Sequence, residues 1–215
     1  MPRAQAVFLD FDGVVLESVG IKTEAFRELF SVSPEHVEAA VRYHVENGGV
    51  PRREKFRYFY EELLRRPVPE GAMDRLDAEF SRLVVRKILA CPFVPGAREF
   101  LESSAGAFPL FVVSATPEPE LRRIVEARGL ARFFAGVYGS PLGKAENLRR
   151  VVAERGFEPG RCVFVGDAAA DFEASRAVGL RFIARDTPEM ASRWAAEGVL
   201  RIPDLSGLSK LVPAS

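Results

Sequence analysis

Two aspartates separated by a single residue, Asp10 and Asp12 in AVFLDFDGVVLES (6 to 18), follow a run of apolar residues. Other polar residues stand in a similar relation to apolar runs. Ser114 ends LFVVS, Gly166 and Asp167 end CVFVGD with Asp171 four residues on, and Lys144 opens the helical pattern before CVFVG. The chain has five lysines, Lys22, Lys55, Lys87, Lys144 and Lys210, so the placement of Lys144 is not a by-product of abundance. Carboxylates crowded at one edge repel one another unless a cation joins them. A hard divalent ion with oxygen ligands answers that need, and magnesium typically takes one or two carboxylates together with phosphate oxygens and water. Ser114 can then donate to a phosphoryl oxygen, and Lys144 can neutralise charge on a transferring group. Asp10 is free to attack phosphorus and form an aspartyl phosphate. Residues i and i+2 of an extended segment face the same side, which places Asp12 beside Asp10 as general acid on a leaving alcohol and later as base on water.

These residues need a scaffold that gathers them. The apolar runs AVFL (6 to 9), LFVVS (110 to 114), CVFVG (162 to 166) and LRFIA (180 to 184), each closed by turn or polar residues, read as buried strands. Helical patterns lie between them: GAREFLESS from Gly96, PEPELRRIVEARG from Pro117, and KAENLRRVVAERG from Lys144. Thr116 before Pro117 reads as a helix start, and Gly129 and Gly156 read as stops. Strands alternating with helices give an α/β fold, with a doubly wound, mainly parallel sheet covered on both faces. In such sheets ligands sit outside the carboxyl ends of the strands, which is where Asp10, Asp12, Ser114 and Asp167 fall, with Lys144 opening the helix before CVFVG. Residues 19 to 90 break the rhythm with four helical stretches in succession, so they read as an inserted all-helical domain, leaving 1 to 18 and 91 to 215 as the core.

With DFDGVV at 10 to 15, SAT at 114 to 116, Lys144 in GSPLGKAENL and GDAAAD at 166 to 171, the sequence resembles the haloacid dehalogenase-like hydrolases over essentially its full length. The insert after the first motif and FVPGAREFL at 93 to 101 look like its helical-cap branch, which holds phosphoglycolate phosphatase-like and β-phosphoglucomutase-like members. The resemblance implies a Rossmann-like core and a mobile four-helix cap. It also implies Asp10 as nucleophile, Asp12 as acid and base, and magnesium held by Asp10, Asp167 and the main-chain carbonyl of Asp12. Asp171 would sit near the metal or orient Lys144, and Ser114, Ala115 and Lys144 would bind the phosphoryl group. Glu17 stands where an acidic residue is usual near the passage into the cap. Each piece has a structural explanation by itself: a turn for the paired aspartates, a hydroxyl in a helix start for Ser114, a solvated helix residue for Lys144, and dipole-favoured positions at a helix N-terminus for Asp167 and Asp171. Their convergence on one sheet edge is what favours chemistry.

The insert supplies candidates for contact with the rest of a substrate. Arg52, Arg53 and Lys55 follow Gly48 and Gly49 in NGGVPRREK and could reach a second anionic group, Arg52 first among them. A helix starting near Pro51 would pack Phe56, Phe59, Tyr60 and Leu63, so the aromatic and basic mixture of RREKFRYFYEELLRR reads as core and not as a nucleic-acid surface. Within the family, Asp12 argues against carbon–halogen or carbon–phosphorus cleavage, and Lys22, where mutases tend to carry histidine, argues against the mutase. Hydrolysis of a small phosphorylated metabolite is the expectation. The alternatives are a β-phosphoglucomutase-type mutase, or a non-catalytic binding or signalling module; receiver domains gather similar groups but lack such an insert.

Composition sets the boundaries of this reading. Among 215 residues, 30 basic and 30 acidic side chains cancel, so no global field draws the chain to nucleic acid or an anionic membrane. Two cysteines, Cys91 and Cys162, are too few for a disulfide scaffold, and no apolar segment is long enough for a signal peptide or a membrane span. A cytoplasmic protein, monomeric or homodimeric, with a small-molecule substrate is expected.

Overall fold

A computed structural model describes residues 4–47, 50, 52–104, 106–188 and 190–212. The chain divides into two compact units, one formed by Met1–Glu17 with Cys91–Ser215 and the other by Ser18–Ala90, so that Ser18 goes with the helical insert and not with the core.

In the core unit, β1 (Ala6–Leu9), β2 (Leu110–Pro117), β3 (Gly136–Ser140), β4 (Cys162–Gly166), β5 (Arg181–Arg185) and β6 (Leu200–Ile202) form one sheet of order β3-β2-β1-β4-β5-β6. Every pairing is parallel. Strands buried on both faces need apolar side chains on both, which is why AVFL and CVFVG are unbroken apolar runs, all fully buried. One face packs on the helices Lys144–Arg155 and Ala169–Val178 through Phe8, Phe111, Val113, Leu148, Val151 and Phe164, with Phe8 stacked on Phe111 at 5.0 Å between ring centres. The chain steps outward from β1 to β3, then returns to β4 on the other side of β1. The sheet's topological switch point therefore lies between β1 and β4. Register connects sheet to site: Leu9 lies level with both Val112 and Val165, so Asp10, Ser114 and Asp167 emerge at the same edge.

Two strands escape the sequence reading. Strand β3 is GVYGS, with only alternate positions buried, and β6 has three residues, two of them exposed, so neither forms an apolar run. Both are edge strands, and their short or glycine-rich character is what limits further pairing. Thr116 also differs from its reading as a helix start: β2 continues through Pro117, and the helix Glu118–Ala127 takes Pro117 as its cap.

The helical unit consists of α1 (Val19–Leu29), α2 (Pro34–Glu46), α3 (Arg52–Tyr58) and α4 (Ala72–Ala90), with a widened π turn over Phe59–Leu63 after α3. Its core is aromatic. Phe26, Phe30, Phe56, Phe59 and Phe80 are all buried, and Phe30 and Phe59 stack at 3.9 Å. Tyr60 and Leu63 are half-buried. No helix among the described residues is long and apolar enough to cross a membrane.

Against this core His44 stacks on Phe26 at 4.5 Å, and buried Lys55 places Nζ 3.3 Å from His44 Nδ1 and 3.1 Å from the His44 carbonyl. Burial, with the charges of Lys55 and then Lys22, pushes the His44 imidazole down to about 4. Unfolded histidine binds a proton below about 6.5, while the folded one does so only below about 4, so unfolding takes up a proton between these values. The stability this group contributes is present above 6.5 and lost as pH falls through the window. We expect the melting temperature of wild type to drop across this window more steeply than that of His44→Gln; equal slopes would show that the imidazole is not held neutral.

Candidate active site

Asp10 directly follows β1 and is 5% exposed; the Phe11 backbone N–H donates to its Oδ1 at 2.7 Å. Its other oxygen receives Lys144 Nζ at 2.8 Å. Lys144 opens the helix Lys144–Arg155 and donates also to Asp171 Oδ1 at 2.5 Å, so one ammonium joins two carboxylates from different helical and strand connections. Asp171 is fully buried in the first turn of the helix Ala169–Val178, where its Oδ2 accepts the Ala168 N–H at 3.0 Å and caps that turn. The glycine ending β4 follows from this packing. A Cβ on Gly166 would lie 2.3 Å from Asp171 Cβ, so any larger residue would displace the carboxylate that holds Lys144.

The electrostatics are those of crowded acids. Burial pushes the Asp10 carboxyl up to about 8 against the pull of Lys144, with Asp171, Asp167 and Asp12 adding to the rise. Burial and Asp171 likewise push Asp167 up to about 6. Burial opposes the charge of Lys144, but Asp10 and Asp171 outweigh it and hold its pKa above the ordinary lysine value. Asp10, Asp167 and Asp171 each offer a carboxylate oxygen within 4.8 Å of the others. Three oxygen donors facing a single ammonium fit a hard divalent cation, which would offset charge that Lys144 alone leaves unbalanced.

The Asp12 side chain is outside this trio. Its Oδ2 accepts the Thr116 hydroxyl at 3.0 Å, and Ser114 Oγ accepts the Thr116 N–H at 3.1 Å. Thr116, a helix start on the sequence alone, thus holds the Asp12 carboxylate; only the register of β1 and β2 brings it there. Removing its hydroxyl takes one hydrogen bond from a partly buried carboxylate, about 1 kcal/mol. We expect Thr116→Val to lower kcat roughly five- to tenfold with little change in KM; an unchanged kcat in the folded variant would remove Thr116 from the site. Ser114 is 2% exposed, and Ala115 beside it is exposed.

The structure brings Asp10, Asp12, Ser114, Lys144, Asp167 and Asp171 to one sheet edge of the core unit. Arg52 belongs to the helical unit, where its guanidinium makes a two-point pair with Asp77 at 2.7 and 3.2 Å and lies over the Phe80 ring. Arg53 pairs with Asp74. Lys55 is buried in the helical unit, where its ammonium meets His44. Gly48, Gly49 and Pro51 lie outside the described residues.

A doubly wound parallel sheet with an acidic cluster and one lysine at its switch point places the chain among Rossmann-like α/β proteins. The chain belongs to the haloacid dehalogenase-like hydrolase family, whose model matches residues 4–179. It is 25% identical over 189 residues to the phosphoglycolate phosphatase of Synechococcus elongatus, covering 84% of this chain and 82% of that protein. Among solved structures it is similar to a predicted phosphoglycolate phosphatase from Haemophilus somnus, with TM-score 0.76 and 16% identity over 98% of this chain and 99% of the other. It is similar also to CbbY from Rhodobacter sphaeroides, solved in complex with xylulose-(1,5)bisphosphate, with TM-score 0.72 and 17% identity over 95% and 96% of the two chains. At these identities the structural likenesses establish the fold.

Proposed function

We propose that the enzyme is a magnesium-dependent phosphatase that hydrolyses a small phosphorylated metabolite, phosphoglycolate being the first to test, through an aspartyl phosphate on Asp10. The observation that carries this reading is the placement of Asp10 at the switch point, with one oxygen on the Phe11 N–H and the other on Lys144, beside two more carboxylates. Magnesium would be held by Asp10, Asp167 and the Asp12 carbonyl, with Asp171 alongside. When bound it supplies neutralisation and orientation of the phosphoryl oxygens. Ser114 and Lys144 donate to those oxygens, with the Ala115 backbone beside them. A carboxylate oxygen of Asp10 forms a bond to phosphorus as the ester P–O bond breaks, and Asp12 gives its proton to the departing alkoxide. Asp12, now a carboxylate, takes a proton from water, which attacks the same phosphorus and frees inorganic phosphate and Asp10.

Arg52 is the first candidate for contact with a second anionic group on the substrate, once released from or shared with Asp77. The name of the Synechococcus relative supports a carboxylated leaving group, and the bisphosphate bound to CbbY supports a small metabolite with a second anionic group. Buried free thiols at Cys91 and Cys162 support a reducing, cytoplasmic setting.

Phosphate release from phosphoglycolate, sugar phosphates and an aryl phosphate, with magnesium or with chelator, tests the proposal. Release that requires magnesium is expected. Release indifferent to chelation, or none from any ester, would overturn it, and isomerisation of a sugar phosphate without net release would identify a mutase.

A further inference from the structure

Arg185 is the last residue of β5, two strands away from β1, or about 10 Å across the sheet. Its guanidinium nevertheless reaches the loop that follows β1. Nη1 donates to the Gly13 carbonyl at 2.9 Å and to Glu17 Oε2 at 3.0 Å, and Nη2 donates to Glu17 Oε1 at 2.6 Å. To do so the side chain crosses the end of β4, where Asp167 stands, and its charge offsets a small part of the rise that burial and Asp171 impose on that carboxyl. The arginine side chain is 15% exposed, and its Nε is buried with no hydrogen-bond partner among the described residues, a cost tolerated against the three bonds at the other end.

The segment it holds is the one that carries Asp12. After Asp10 the chain turns back on itself: Gly13 takes a positive φ of 77°, its N–H bonds the Leu16 carbonyl, and the Val15 and Leu16 N–H groups both bond the Phe11 carbonyl. Glu17 then bonds the Pro92 carbonyl through its N–H, at the point where the core chain departs and returns. A turn built of short-range bonds can pivot as a body. Main-chain bonds from Glu17 N–H to the Pro92 carbonyl and from Val94 N–H to the Val15 carbonyl tie its far end to the returning chain, and the Thr116 hydroxyl meets the Asp12 carboxylate. Arg185 adds two side-chain points, one on the Gly13 carbonyl and one on the Glu17 carboxylate, that fix its orientation. A planar guanidinium with paired donors suits that task, whereas a single ammonium does not.

We propose that Arg185 is a positioning residue for the reaction, clamping the 11–17 turn at Gly13 and Glu17 so that Asp12 is presented in working geometry. This rests on the phosphatase reading for its kinetic consequence but not for the clamp itself. Arg185→Met, Arg185→Lys, Glu17→Gln and the double variant Arg185→Met with Glu17→Gln test it, by steady-state kinetics on an aryl phosphate and by amide hydrogen exchange of the 11–17 segment in every protein. We expect Arg185→Met to lower kcat tenfold or more with KM changed less than twofold, and to speed exchange in 11–17 without speeding it in β2 or β4. Arg185→Lys should recover only part of kcat, and the double variant should be no slower than Arg185→Met, because the pair acts as a unit. An unchanged kcat in folded Arg185→Met, or losses that multiply in the double variant, would overturn the positioning role. Unchanged exchange in 11–17 would overturn the clamp. Should the wild type hydrolyse no ester, the phosphatase reading fails alone, and the exchange measurement still decides whether the clamp exists.

Discussion

Asp10→Asn is expected to lose turnover by a factor on the order of 10⁴ or more while remaining folded, because the amide cannot form a bond to phosphorus and a nucleophile acts as a unit with its neighbours. The reason the fold survives is electrostatic. The asparagine amide would keep an oxygen for the Phe11 N–H, and Lys144 would keep Asp171 as its partner. One of three carboxylates crowded within 4.8 Å would be gone, and burial already pushes the Asp10 carboxyl up to about 8, which marks its charge as costly at that place. The melting temperature measured without magnesium should therefore equal or exceed that of wild type. Full activity in this variant would end the assignment of Asp10 as nucleophile, and a collapsed fold would show that its carboxylate is structural.

Asp12→Asn is expected to slow steady-state turnover by about 10³-fold, within the range of a lost general acid and base. The two half-reactions should suffer unequally. An aryl oxide departs without much help from a proton, so phosphorylation of Asp10 proceeds, whereas attack by water needs the base that has been removed. A burst of the aryl alcohol, stoichiometric with enzyme and followed by a slow phase, is the signature to look for by rapid mixing. An alkyl ester such as phosphoglycolate should give no burst, because its leaving group needs the proton. Identical loss for both substrates would place Asp12 outside proton transfer.

The parts of the fold legible in the sequence are those with the strongest physical signature. Strands β1, β2 and β4 are buried on both faces and so read as apolar runs, and the polar residues ending them are legible as a site because a parallel sheet aligns strand ends. Edge strands β3 and β6 lack that signature, since half of β3 and most of β6 face away from the core. Contacts made by register and reach leave no local trace in the sequence. Thr116 looks like a helix start until the alignment of β1 with β2 sets its hydroxyl 3.0 Å from Asp12. Arg185 is one of many arginines in the chain, and nothing local announces a side chain that spans two strands. Lys55 looks like one of a run of cations, yet its helical phase, next to Phe56, turns it into the aromatic core of the helical unit. Arg52 stands out for its charge and loop position, and the structure gives it an acid, Asp77, twenty-five residues on.

What sets the proposed mechanism apart is where the phosphoryl group would rest between its two transfers. The most direct test is to mix Asp12→Asn with magnesium and an aryl phosphate, quench in acid, and locate the adduct by peptide mass spectrometry. One phosphoryl group on the peptide bearing Asp10, labile to base and absent when Asp10 is also replaced by asparagine, is the predicted result. A phosphoryl group on Ser114 or Asp167, or turnover with no covalent adduct at any time, would contradict it.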